Sequence, residues 1–135
     1  MSQGRALVRV RDVMKTQIDL VERGMTVAEA LRQMKHIETK ALIVDKRDDE
    51  DEYGIVLISD IAREVVAKDR SPERVNVYEI MSKPVITVHP DMDIRYCARL
   101  FDKFGLSRAP VTKRGQIVGI VSYTDIVLRG LLREL

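Results

Sequence analysis

Apolar residues recur at helical spacing twice along the chain. Val27, Ala30, Leu31, Met34 and Ile37 line one face of a predicted helix. Ile94, Cys97, Ala98, Phe101 and Phe104 line one face of another. Thr26 and Asp93 stand where N-caps belong, and Thr26 has Glu29 three residues on, the reciprocal capping pattern. Short β-branched runs bounded by turns follow each helix and read as buried strands. They are Ala41-Leu42-Ile43-Val44 and Ile55-Val56-Leu57-Ile58 after the first helix, and Ala109-Pro110-Val111 and residues 117–121 after the second. One more strand is predicted ahead of each helix, Ile18 to Val21 and Val85 to Val88. Second helices are predicted over residues 59–68, with Ile61, Ala62, Val65 and Val66 inward, and over 123–134, with Ile126, Val127 and Leu131 inward.

The pattern is one unit written twice. A shift of 67 residues sets Val10-Arg11-Asp12-Val13-Met14 on Val77-Tyr78-Glu79-Ile80-Met81, and Met25-Thr26-Val27 on Met92-Asp93-Ile94. After position 47 the shift becomes 65, and GIVLISDI (54–61) falls on GIVSYTDI (119–126). Each copy is thus β-α-β-β-α, introduced by a turn that ends in Met14 or Met81. Repeat 1 spans 8–68, repeat 2 spans 77–135, and the polar stretch 69–76, broken by Pro72, links them. A unit of about 60 residues buries too little surface to be more than marginal alone. The expectation is one α/β domain in which the repeats pack with pseudo-two-fold symmetry.

Composition narrows the function. With 135 residues, 45% hydrophobic content and a net charge of +2, the chain is an ordinary globular sequence with no demand for a polyanionic partner. No apolar run approaches the roughly 20 residues of a membrane span, and no signal-peptide core opens the chain, so a cytoplasmic protein is expected. Cys97 is the only cysteine, and it falls on a buried helix face. His36 and His89 show no metal-ligand spacing. No catalytic constellation, metal site or catalytic cofactor is expected. The run Asp48-Asp49-Glu50-Asp51-Glu52 reads as a solvated loop.

Chemistry concentrates in the repeated motif. Ser122 ends a strand and Asp125 follows in the first turn of a helix, where unpaired N–H groups and the helix dipole favour a phosphate. A hydroxyl at Ser122 or Thr124 adds a hydrogen bond to that phosphate, and the Asp125 carboxylate can accept from both hydroxyls of a ribose. The same Ser-x-x-Asp spacing is also a helix-capping pattern that needs no ligand. Both readings stand on the residues alone. Gly54 and Gly119 admit close approach of backbone or ligand.

Taken together, DVM and EIM ahead of the first strands, SRAPV (107–111), GIVLISDI and GIVSYTDI resemble the cystathionine-beta-synthase (CBS) domain family in tandem pairs. The resemblance covers roughly 8–135. It implies a non-catalytic regulatory module that binds adenosine-containing ligands between repeats and forms a homodimer. Carried over residue by residue, one site combines Ile120, Ser122, Thr124 and Asp125 with Thr16, Gln17, Ile18, Thr39, Lys40 and Ala41. In it Asp125 is the ribose contact and Lys40 a phosphate partner. A weaker site combines Ser59 and Asp60 with Pro84, Val85, Ile86, Ser107 and Arg108. There Leu57 stands in the place of Ser122, and the Arg108 fork offers partial compensation. Ile18, Ile86 and Ile120 are the apolar walls for an adenine.

The expected function is sensing of an adenine nucleotide (AMP, ADP, ATP or a similar compound), read out by an unidentified effector protein. The alternatives are a scaffold without ligand and, from Arg5, Arg9 and Arg11, a nucleic-acid binder.

Overall fold

The computed structural model describes residues 7–135; Arg5 lies outside them. Helix α1 (Val10–Val13) opens the chain. Strand β1 (Leu20–Val21), helix α2 (Val27–Gln33), a 3-10 turn (Ile37–Thr39), strand β2 (Ala41–Val44) and strand β3 (Gly54–Leu57) follow. Helix α3 (Ile58–Ile61) widens into a π turn over Ala62–Val66. The second repeat starts with a 3-10 turn (Val77–Glu79), then helix α4 (Ile94–Phe104) and the hairpin of β4 (Arg108–Lys113) and β5 (Gln116–Ser122). Helix α5 (Tyr123–Asp125) continues as a π turn (Ile126–Gly130) and a 3-10 turn (Leu131–Glu134). The chain is a mixed α/β protein of two repeats.

Its compact units are not the repeats themselves. Gln17–Val85 forms a continuous unit, and residues up to Thr16 join Ile86–Leu135 in a split unit. Each repeat therefore gives its opening turn to the core of the other. The split unit buries Val8, Val10 and Val13 with Ile94, Cys97, Phe101, Val111, Val121 and Ile126. The continuous unit buries Val75 and Val77 with Val27, Ala30, Leu42, Val56, Ile61 and Val65. The exchange is hydrogen-bonded alike in both. Val10 N–H donates to Met92 C=O and Val77 N–H to Met25 C=O, each at 2.8 Å. The first N–H groups of α4 and α2, on Ile94 and Val27, have no partner inside their helices. They donate to Val8 C=O at 3.0 Å and to Val75 C=O at 2.8 Å.

The repeated glycines make room for the exchanged segments. A Cβ on Gly119 would lie 2.5 Å from Lys15 C=O and 3.0 Å from Met14 Sδ. One on Gly54 would lie 2.9 Å from Met81 Sδ and 3.3 Å from Ser82 C=O. Lys15 and Ile120 exchange two backbone hydrogen bonds of 2.9 Å across the first contact. Ser82 and Ile55 do the same at 2.9 and 3.0 Å across the second.

In the continuous unit β1 runs parallel to β2, and β2 antiparallel to β3, with Ala41 opposite Leu57 and Val44 opposite Gly54. The split unit repeats the β2–β3 pairing as β4–β5, with Arg108 opposite Ser122 and Val111 opposite Gly119. The strand expected at Val85 to Val88 is reduced to one parallel bridge, Val88 to Val111. In repeat 1 Ile43 N–H donates to Asp19 C=O at 2.9 Å. Pro110 holds the place of Ile43 and has no N–H to give, so the ladder stops.

Two predicted helix faces are also corrected. Helix α2 is only seven residues long, and Ile37 lies beyond it, 72% exposed. The Asp19 carboxylate accepts from Lys35 N–H at 2.8 Å and His36 N–H at 2.9 Å, drawing those donors out of the helical pattern. Repeat 2 has Ile86 in that position, and α4 runs for 11 residues, although its last residue, Phe104, is half exposed. In the second helices Ile61, Val65 and Ile126 are buried, but Val66, Val127 and Leu131 are exposed. One apolar stripe faces a core, and adjacent columns cannot both do so.

Cys97 is buried, and burial pushes its thiol up to about 11. The acidic run occupies the β2–β3 loop. Asp51 is its exception: its carboxylate pairs with Lys83 at 2.5 Å and accepts from Arg47 N–H at 2.9 Å, interactions that hold it well below the usual carboxylate range. No helix among the described residues is long and apolar enough to cross a membrane.

Because Gly119 faces rigid backbone and Gly54 mainly a flexible methionine, Gly119→Ala is expected to lower unfolding stability by about 1–3 kcal/mol. Gly54→Ala should cost less. Urea denaturation of the two variants measures the difference, and equal losses would contradict the packing account.

Candidate ligand site at the start of helix α5

Strand β5 ends at Ser122 in extended geometry, and the chain turns into α5 at once. The turn is stabilised by a closed set of hydrogen bonds. Ser122 Oγ accepts from Asp125 N–H at 3.2 Å, while Asp125 Oδ2 accepts from Ser122 N–H and from Ser122 Oγ, both at 3.0 Å. The capping reading of Ser-x-x-Asp is therefore realised in full.

Asp125 is only 2% exposed, yet it is not isolated. Lys15 Nζ, carried in by the exchanged segment, forms an ion pair with Asp125 Oδ1. Arg108 lies opposite Ser122 in the ladder, and the Asp125 charge favours its protonated form against burial, which lowers its pKa. Lys15 is thus paired with this carboxylate and Arg108 feels its charge, so the α5 start offers cationic groups of the kind that suit an anion.

The matching place in the continuous unit is built differently. Asp60 Oδ2 accepts from Leu57 N–H at 2.8 Å, and Asp60 Oδ1 accepts from Arg63, one turn along the same helix, at 2.5 Å. Leu57 supplies no hydroxyl, and Ser82, not a lysine, occupies the place of Lys15.

The expected site residues divide between the units. The split unit holds Thr16, Ile120, Ser122, Thr124 and Asp125, together with Ile86, Ser107 and Arg108. Tyr123 N–H donates to Ser107 C=O at 3.0 Å, so the 107–108 pair stands beside the α5 motif. The continuous unit holds Gln17, Ile18, Thr39, Lys40, Ala41, Ser59, Asp60, Pro84 and Val85. There Ile58 N–H donates to Lys40 C=O at 3.0 Å, so Thr39–Ala41 stand beside the α3 motif. Thr39 Oγ1 is buried and donates to His36 C=O at 2.8 Å. Lys40 is exposed, with φ 56° in the left-handed region. Ile120 is buried, while Ile18 and Ile86 are half-buried.

Lys15 was the residue that spacing could not supply, because its partner lies 110 positions away. A surface cleft of 360 Å³ in the continuous unit, lined by Glu22, Arg23, Gly24, Asp45, Lys46 and Arg47, contains none of the expected residues. Arg9 donates to Asp91 C=O at 2.8 Å and Arg11 pairs with the Asp91 carboxylate, so two of the three arginines named for nucleic-acid contact are engaged within the protein. Among the described residues no group of His, Cys, Asp and Glu is placed to hold a metal ion.

Residues 10–67 and 77–131 each match the family described as CBS domain. The chain belongs to the CBS domain family. CBS-domain pair proteins are generally regulatory modules. Protein MK0525 of Methanopyrus kandleri is 32% identical over 99 residues, 73% of this chain. The match covers 50% of that protein, so the chain spans about half of its length. Among solved structures, the hexameric CBS-CP12 protein from bloom-forming cyanobacteria is 35% identical at a TM-score of 0.89, covering 95% of this chain and 74% of that one. The CBS domain pair of protein MJ0100, in complex with 5′-methylthioadenosine and S-adenosyl-L-methionine, is 25% identical at a TM-score of 0.73, covering 90% and 94%.

The reciprocal Ser122–Asp125 cap makes a direct expectation. Ser122→Ala should cost about 1 kcal/mol of stability, and Ser59→Ala, at an exposed position after a leucine cap, should cost almost nothing. Thermal unfolding of the two variants compares them.

Proposed function

We propose that this CBS pair is a ligand-sensing regulatory module whose main binding determinant is the start of α5. Its ligand is an adenosine-containing compound. The observation that carries the reading is Asp125, a buried carboxylate at a helix start, beside the Ser122 hydroxyl and paired with Lys15. A ribose offers two hydroxyl donors to a carboxylate, and a phosphate is suited to the helix start and its cations. The MJ0100 pair, which carries 5′-methylthioadenosine and S-adenosyl-L-methionine, supports the adenosine class. The Asp60 motif is the weaker determinant, because Arg63 of the same helix holds its carboxylate and Leu57 stands in the place of Ser122. Thr16, Ser107 and Arg108 share the unit of the Asp125 motif and belong with the main determinant, whereas Thr39–Ala41 stand beside the Asp60 motif in the other unit. The output passes to an effector protein.

A second observation favours self-association. Ile58 and Val66 in the continuous unit are exposed at the same offsets as Tyr123 and Leu131 in the split unit, with Ala62 matching Val127 between them. Val66 is 73% exposed. An apolar column recurring on both second helices is self-complementary, so a homodimer through these helices is the proposed assembly. A scaffold that binds no ligand would use the same faces.

Ligand at 100 times its dissociation constant should stabilise the fold by about 2.7 kcal/mol, read as a rise in melting temperature with AMP, ADP, ATP or S-adenosyl-L-methionine. Asp125→Ala should abolish most of that rise and Asp60→Ala little of it. No rise with any adenine compound, with and without divalent metal, would leave the scaffold reading. Independently, Val127→Glu with Leu131→Glu should convert the dimer to monomer in sedimentation, and an unchanged mass would reject this interface.

A further inference from the structure

We propose that Lys15 determines ligand class at the α5 site, favouring phosphorylated over uncharged adenosine compounds by transferring its ammonium from Asp125 to the ligand phosphate. The inference rests on the reading of the α5 start as a ligand site and deepens it. Asp125 Oδ2 is committed to Ser122, through both N–H and Oγ. Oδ1 is the oxygen Lys15 engages. A carboxylate has about four acceptor positions, and a ribose diol that approaches this buried group meets the Lys15 ammonium at the oxygen still available. Three of those positions are filled by Ser122 and Lys15, so a diol that donates both hydroxyls to Asp125 requires Lys15 to move.

The geometry allows that movement without loss of position. The Lys15 backbone is pinned to Ile120 by two hydrogen bonds of 2.9 Å, so the side chain pivots from a fixed base. Its side chain is 26% exposed against 3% for Asp125, which gives the ammonium a solvent-facing path. Arg108, opposite Ser122 in the ladder, still feels the Asp125 charge when Lys15 leaves. An uncharged nucleoside would displace the lysine and return nothing to it. A phosphate at the helix start returns an anionic partner, and the two states are then balanced. The Asp60 motif has no such exchange, because its cation, Arg63, lies in the π turn that continues α3 and Ser82 occupies the Lys15 position.

The test compares AMP with adenosine by calorimetric titration of wild type and Lys15→Met at fixed ionic strength. Wild type should prefer AMP. Lys15→Met should weaken AMP at least about tenfold while leaving adenosine unchanged or tighter, so that the preference collapses. Lys15→Arg should keep it. Should Lys15→Met fold poorly with Asp125 left less compensated, Lys15→Gln makes the same comparison with a neutral donor in place. If both ligands weaken together, or the preference is unchanged, Lys15 is a structural ion-pair partner and the inference is overturned while the site stands. If wild type binds neither compound, the site reading fails, and this inference with it.

Discussion

Close approach of a borrowed backbone segment to a glycine is the constraint on which this structure depends. Residues 8–15 reach the β4–β5 sheet only because Gly119 has no side chain, and residues 75–82 reach β3 only because Gly54 has none. Once those contacts are made, much follows. Val8 and Val75 satisfy the first N–H groups of α4 and α2, and the opening turns fill cores that their own repeats do not own. In the split unit the same approach delivers Lys15 to Asp125. One absent methyl group thus serves the packing, the helix start and the electrostatics of the candidate site.

Much of this was legible in the sequence, for identifiable reasons. The duplication exposed both glycines, both methionines and both Asp-Ile endings, and periodicity located α2 and α4. The failures trace to single residues acting outside their own element. Asp19, inside a predicted strand, shortens α2 by capturing Lys35 and His36 N–H groups. Pro110, quoted as part of a family motif, also removes the donor that would have continued a strand at Val85 to Val88. Periodicity cannot reveal either effect, because it describes which face is apolar and not where each N–H goes. Val66, Val127 and Leu131 were assigned inward because they are apolar; apolar residues on a second helix column can equally face outward.

Asymmetry between the halves is the other lesson. The two motifs share a glycine, an apolar run and an Asp-Ile ending, but their carboxylates answer to different partners. Asp60 is tied to Arg63 within its own helix, whereas Asp125 is tied to a residue from the start of the chain. A local pair stabilises its own turn. A pair between distant segments makes the charge at the helix start depend on how the exchanged segment is seated, which is a property a regulated module can use.

The nesting of the units has a consequence for the chain as it is made. Gln17–Val85 is complete while Ile86–Leu135 is still to come, so the inner unit can close first. The amino-terminal strap around Val8–Lys15 must wait for α4, β4 and β5 before it has anything to grip. Its loop-closure cost is that of a long chain unless the inner unit has already drawn its ends together. Vectorial synthesis from the ribosome therefore favours an order in which Val8–Lys15, made before the inner unit, settle after it.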